Sequence, residues 1–228
     1  MKHPNVSAAN LVPIVQLARD LPATFGKYSV ALYGGMEVSK ELRDGIWSIF
    51  EANMKSLLER STDGWDPPQK ELEWFHPHSR LILVMEADNL VDTCPTRRTT
   101  KTATKAIAGF GVFRFDTEMN ENDDEDEYEV LYCYELQTAA SARRQGIGRQ
   151  LMEWMKMFGA KHKMHKVMLT CQKENEGALA FYRSMGFEND PICPSQWTDG
   201  SESESESEAE DDEAQGEVDY VILSLPLK

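Results

Sequence analysis

Cysteine is scarce in this chain: four residues, at 94, 133, 171 and 193, none of them in a C-x-x-C pair. That scarcity excludes the disulfide framework of a small secreted domain, and reduced thiols are expected. No apolar run reaches the length that spans a bilayer. The opening residues Met1-Lys2-His3-Pro4-Asn5 carry no apolar signal core, and no internal repeat is visible. Together these absences predict a soluble intracellular protein of nucleus and cytoplasm, with no membrane contact. Base is also missing from two stretches. Residues 120–129 hold seven acids and 199–217 hold ten, and neither holds a Lys or Arg. Taking those 17 from the chain's 39 acids leaves 22 against 24 Lys and Arg, so the formal charge of −15 belongs to two local segments. Direct nucleic-acid binding is not expected of either.

What is present is enough to build one domain. The 228 residues are 41% hydrophobic, ample for a real core. Residues 6–19 have roughly helical apolar spacing, and 1–24 is expected to be a helical segment packed on the body. Tyr28 to Tyr33 reads as a strand ended by Gly34-Gly35. Ser39 is a plausible N-cap for a helix to Arg60, with Leu42, Ile46, Ile49, Phe50, Met54 and Leu57 on one face. A short helix is expected over 69–76 and a buried strand over 81–85. Strands follow over 107–115, with Gly109 and Gly111 inside, and over 130–137. Helix 147–160, strand 167–171, helix 176–185, a short strand from Phe187 and a last strand over 218–223 complete a mixed α/β order. Insertions are expected at 89–104 (a loop), 119–129 (an acidic turn) and 194–217. The last is Ser, Glu and Asp-rich and too polar to order itself.

The most informative stretch runs from Leu136 to Met152. It reads as a strand end, a loop and a helix start, with Gly146 and Gly148 at the junction and Arg143, Arg144 and Arg149 around it. The first turn of a helix has backbone N–H groups without internal partners, and those donors suit a phosphate. Glycines let such a group approach the main chain closely. An anion cradle is the expectation; the bland reading is an ordinary strand-to-helix turn.

These residues carry a resemblance. Arg143-Arg144-Gln145-Gly146-Ile147-Gly148 is similar to the acetyl-CoA loop of the GCN5-related N-acetyltransferases (GNAT), R/Q-x-x-G-x-G/A. Asn175 to Phe187 is similar to a second segment of that family, N-x-x-A-x-x-F-Y-x-x-x-G-F. Phe113 to Asp116, Val130 to Gln137 and Lys166 to Thr170 look like the NatD branch, the histone-selective N-alpha-acetyltransferases. The likeness covers most of 25–225 and omits the three insertions. It implies a GNAT fold, a mixed central sheet flanked by helices in which a splayed strand pair opens the acetyl-CoA cleft. It also implies acetyl transfer to the N-terminal serine of histone 4 and histone 2A tails (Ser-Gly-Arg-Gly), by direct attack in a ternary complex. A monomer is implied, with acetyl-CoA as co-substrate, histone tails and the ribosome as partners, and no metal.

The resemblance assigns the site residue by residue. Leu136, Gln137, Arg143, Arg144, Gln145, Gly146, Ile147, Gly148, Arg149 and Asn175 would hold the cofactor, although Asn175 would equally serve as a helix cap. Glu135 would take the amine's proton, its carboxyl desolvated beside Tyr132 and Tyr134. Strict alternation puts those tyrosines on one face and Cys133 and Glu135 on the other, so one cleft can gather them only if the strand bulges or ends there. Tyr182 stands where many relatives donate a proton to the leaving thiolate, with packing as its other reading. Asp116 and Glu118 would pair with the tail's arginine, and Trp65, Thr170 and Tyr220 would line its groove; Trp65 could equally be core, and Asp63 stands where the family has an aromatic. Cys133 as an acyl-enzyme nucleophile is the weaker option. The Ser/Glu tract could hold basic tails, carry phosphate on Ser201, Ser203 and Ser205, or be an inert linker. A broader protein or small-amine acetyltransferase, and a non-catalytic histone-binding module, remain as alternatives.

Overall fold

The computed structural model describes residues 2–62, 64–86, 106–119, 127–194 and 218–227. The order is α1 (Pro4–Asn10), α2 (Ile14–Leu17), β1 (Thr24–Phe25), β2 (Tyr28–Gly34), α3 (Lys40–Leu58), α4 (Pro67–Trp74), β3 (Arg80–Glu86), β4 (Ile107–Met119), β5 (Glu127–Thr138), α5 (Ile147–Lys161), β6 (Lys166–Gln172), α6 (Glu176–Ser184), β7 (Glu188–Asn189) and β8 (Tyr220–Pro226). The eight strands form one sheet in the order β1-β2-β3-β4-β5-β6-β8-β7. Every neighbouring pair is antiparallel except β5 with β6.

Apolar residues on both sides of the strands explain the layers. In β3, Leu81, Leu83 and Met85 face a core shared with Ile46 and Phe50 of α3 and Trp74 of α4. Ile82 and Val84 alternate to the opposite core, with Leu151, Met155 and Phe158 of α5 and Tyr182 of α6. Gly109 lets α5 sit directly on β4. A Cβ there would meet Ile147 Cγ2 at 2.7 Å and the Gln137 carbonyl at 3.0 Å.

Several local expectations need correction. The helix expected over 6–19 is two short helices, because Pro13 precedes α2 and removes the N–H a continuous helix would need. The helix expected over 69–76 starts earlier, at Pro67, where the Asp66 side chain accepts from Gln69 N at 3.1 Å and two prolines fill the first turn. The acidic turn is shorter than 119–129. Met119 ends β4, and Glu127, Tyr128 and Glu129 open β5. Glu129 is buried, because its carboxylate accepts from Asn5 N at 2.7 Å and Val6 N at 3.0 Å and caps α1. The last strand is displaced, running over Tyr220–Pro226. Residues 120–126 of the acidic turn, the loop 89–104 with Cys94, the Ser/Glu tract from 195 to 217 and Asp63 lie outside the described residues. Among the described residues no helix is long and apolar enough to cross a membrane.

Candidate active site

The sheet splits where the chemistry was expected. β5 and β6 pair only from Val130↔Lys166 to Tyr132↔Met168. Beyond that point β5 continues to Thr138 on β4 alone, and β6 continues to Gln172 on β8 alone. The diverging strands leave backbone groups of β5 facing a cleft of about 710 Å³.

A bulge solves the alternation problem. Across β4, Val112 pairs with Glu135 and Phe113 pairs with Cys133, so Tyr134 is an extra residue on β5. Tyr132, Tyr134 and Glu135 consequently all line the cleft. The two tyrosine rings lie 4.9 Å apart. The Tyr132 hydroxyl and the Thr170 Oγ1 are 2.6 Å apart across the split, and burial pushes the pKa of the Tyr132 hydroxyl up to about 12. Tyr134 donates to Asp116 Oδ2 at 3.1 Å, while the Arg114 guanidinium lies 4.3 Å from its ring centroid. Burial, then the Asp116 charge, raise the Tyr134 hydroxyl above its ordinary value.

Glu135 is half-buried. Desolvation lifts its carboxyl above the usual carboxylate range, with Lys70 and a hydrogen bond from Gln137 pulling the other way. Gln137 Nε2 donates to Glu135 Oε1 at 2.8 Å. Cys133 is buried at 4% exposure, and desolvation raises its thiol far above the ordinary value, which disfavours the thiolate a covalent route needs.

The opposite wall comes from α3, α4 and β8. Trp65 belongs to both core and groove: it stacks on Phe50 at 5.3 Å and 17° and lines the cleft. Its loop is tied to the start of β8, where Asp219 accepts from Thr62 N at 2.6 Å and Thr62 Oγ1 at 2.8 Å. That tie sets Trp65 and Tyr220 on one cavity. Asp116 and Glu118 line the same cavity from β4. The sequence reading missed Asp66, Gln69, Lys70 and Glu73, which α4 and its N-cap present to the cleft. Their 3–4 residue spacing was the available signal for one helix face.

The cofactor residues divide. Leu136, Gln137 and Asn175 line the cleft, as does Tyr182, whose hydroxyl is raised well above its ordinary value by burial. Asn175 caps α6, accepting from Ala178 N at 3.2 Å. The loop from Arg143 to Arg149 lies outside the lining of this cavity. Gly146 holds the left-handed φ of +80° that opens α5, and no side chain caps that end. A Cβ at Gly148 would meet only Leu136 and Phe181, at 3.6 and 3.7 Å, so packing alone does not demand glycine there. These features fit a phosphate laid against the helix start. Ile147 is a core side chain at 1% exposure and offers the loop only its main chain. Gln145 is occupied by Tyr28, whose hydroxyl donates to it at 2.8 Å, and Arg149 donates to Ser184 Oγ at 3.2 Å. Among the described residues no cluster of His, Cys, Asp and Glu could hold a metal ion.

Split strands, a bulged β5 and a glycine-opened helix define an acyl-group transferase of one fold class. The acetyltransferase (GNAT) family matches residues 46–187, more than half the chain, and the protein belongs to that family. Solved structures agree on the fold. An acetyltransferase from Streptococcus agalactiae 2603 superposes with a TM-score of 0.54 at 12% identity, covering 89% of this chain and 100% of its own. The NatC complex bound to Gag peptide and CoA gives 0.51 at 15% identity over 87% and 99%. Ard1 from Thermoplasma volcanium gives 0.51 at 12% identity over 89% and 99%.

Proposed function

We propose that this acetyltransferase modifies protein N-termini, with the Ser-Gly-Arg-Gly tail of histone 4 and histone 2A as its substrate, in the manner of NatD. The observation that carries the reading is the single cleft that joins Glu135 at the strand split to Asp116 and Glu118 on its rim. The quoted likeness of Val130 to Gln137 and Lys166 to Thr170 to the NatD branch supports the choice of tail.

When bound, acetyl-CoA supplies an activated acyl carbon and a thiolate leaving group. The α5 start and Arg143 to Arg149 would hold its phosphates; Leu136 and Gln137 would hold its arm. An α-amine has a pKa of roughly 7.7–8.0, so a fair fraction is already neutral at cellular pH. The tail's neutral amine attacks the thioester carbonyl, the C–N bond forms and the C–S bond breaks. Glu135 takes the proton the nitrogen sheds, and Tyr182, a residue of the same cavity wall, returns one to the thiolate from its hydroxyl. A carboxyl raised by desolvation is a better proton acceptor than a free one. Asp116 and Glu118 receive the arginine two residues behind the serine.

The test is steady-state turnover on a Ser-Gly-Arg-Gly-Lys peptide. Glu135→Gln should lower kcat by about 100-fold or more. Asp116→Asn should raise KM by about 10-fold, the effect of one lost charge-assisted hydrogen bond. A peptide blocked at its N-terminus but with its lysine free should be inert. Equal turnover of that peptide would replace this reading with lysine acetylation.

A further inference from the structure

One chain of hydrogen bonds leads into the Glu135 carboxylate from outside the cleft. Arg143 Nη2 donates to Asn53 Oδ1 at 2.5 Å. Asn53 Nδ2 donates to Gln137 Oε1 at 2.8 Å and to the Thr138 carbonyl at 3.0 Å. Gln137 Nε2 donates to Glu135 Oε1 at 2.8 Å. Asn53 sits near the end of α3, and the other members lie on β5 and the loop after it.

The polarity of this chain is forced at its ends. A guanidinium can only donate and a main-chain carbonyl can only accept. Arg143 therefore holds the Asn53 oxygen, and Thr138 holds the Asn53 amide nitrogen. With that nitrogen facing it, Gln137 must present its own oxygen to Asn53 and its NH2 to Glu135. A carboxamide otherwise turns over at little cost, because its two ends have nearly the same shape.

We propose that Asn53 is a positioning residue for Glu135: it locks the Gln137 carboxamide so that an N–H, never an oxygen, meets the carboxylate. The inference rests on Glu135 being the proton acceptor. It gives the Gln137 side chain a task that an arm-binding role does not include. An N–H donor favours the charged form of a carboxylate and opposes the desolvation that raises this one. The reversed carboxamide would instead add to that desolvation and to the Glu73 charge, against Lys70 of the same helix α4, and raise the carboxyl further.

Asn53→Asp is the sharpest test. The introduced carboxylate keeps an acceptor for Arg143 but has no N–H for Gln137, so the Gln137 NH2 turns toward α3 and its oxygen toward Glu135. The acidic limb of the kcat/KM profile should move up by about one pH unit. Gln137→Leu should move it the same way, and the double variant of Gln137→Leu with the neutral Asn53→Ala should move it no further than the larger single effect, since that pair acts through one contact. Should Asn53→Asp fail to fold, Asn53→Ala leaves Gln137 without a fixed polarity and should shift the limb in the same direction by less. A structural role alone would lower the rate equally at every pH. An unmoved limb in folded Asn53 variants, or additive shifts in the double variant, overturns the inference while an inactive Glu135→Gln leaves the proposed function standing. An active Glu135→Gln overturns both.

Discussion

At the scale of single residues, Gly148 is the position where fold and function separate. It stands in the first turn of α5, where a Cβ would make ordinary contacts with Leu136 and Phe181. Gly148→Ala should therefore fold with a Tm unchanged or slightly raised, since alanine favours the helix, while the methyl group crowds a phosphate laid against the main chain. KM for acetyl-CoA should rise by about 10-fold or more, the scale of one lost charge-assisted hydrogen bond. Thermal melts paired with cofactor titrations measure both; an unchanged KM would show that the cradle does not lie there. Gly146 is a different case, because its φ of +80° would strain any side chain and spoil the helix start itself.

At the scale of elements, α1 is held by a residue far away in sequence. Its N-cap, His3, makes no side-chain cap, and the open N–H groups of Asn5 and Val6 are taken by Glu129 of β5 instead. Burial pushes the Glu129 carboxyl up, but the hydrogen bonds from Val6 and Asn5 outweigh it and the group lies below its ordinary value. A lowered carboxyl stabilises the folded state above its unfolded pKa and loses that effect as pH falls through its folded one. Glu129→Ala should thus cost about 2 kcal/mol in urea melts at pH 7. The gap from the unsubstituted protein should close as pH drops below about 4. A gap independent of pH would mean that packing, not charge, fixes α1. The same scale explains why the spacing over 6–19 predicts one helix where two stand, and why Glu129 falls within the expected acidic turn. Apolar spacing is a local signal, whereas the cap that anchors α1 spans 124 residues.

At the scale of the molecule, the chain's acidity and its cleft have to be kept apart. Most of the excess acid lies in 120–129 and 199–217, but the cleft has its own charge, with Asp66, Glu73, Asp116, Glu118 and Glu135 against Lys70. A basic tail should be drawn to that field. KM for a basic peptide should climb as salt shortens the Debye length from about 30 Å to about 3 Å, while KM for an uncharged N-terminal peptide stays flat. A flat response for both would remove charge from the recognition.

The order of elements, the long α3 behind its Ser39 cap, the two-sided burial of β3 and the glycine-opened start of α5 are written in local pattern, because caps, alternation and turn residues act over a few positions. Glu135, Asp116 and Tyr182 could be singled out by motif for the same reason. The tertiary structure alone decided how they meet. Pairing β5 with both β4 and β6 places the bulge at Tyr134 and ends the β6 ladder at Tyr132. Only that pairing turns Glu135 toward the cleft, brings α4 to its far wall and sets Asn53 behind Gln137. Register between strands is settled by contacts across the whole chain, and no window of sequence contains both partners.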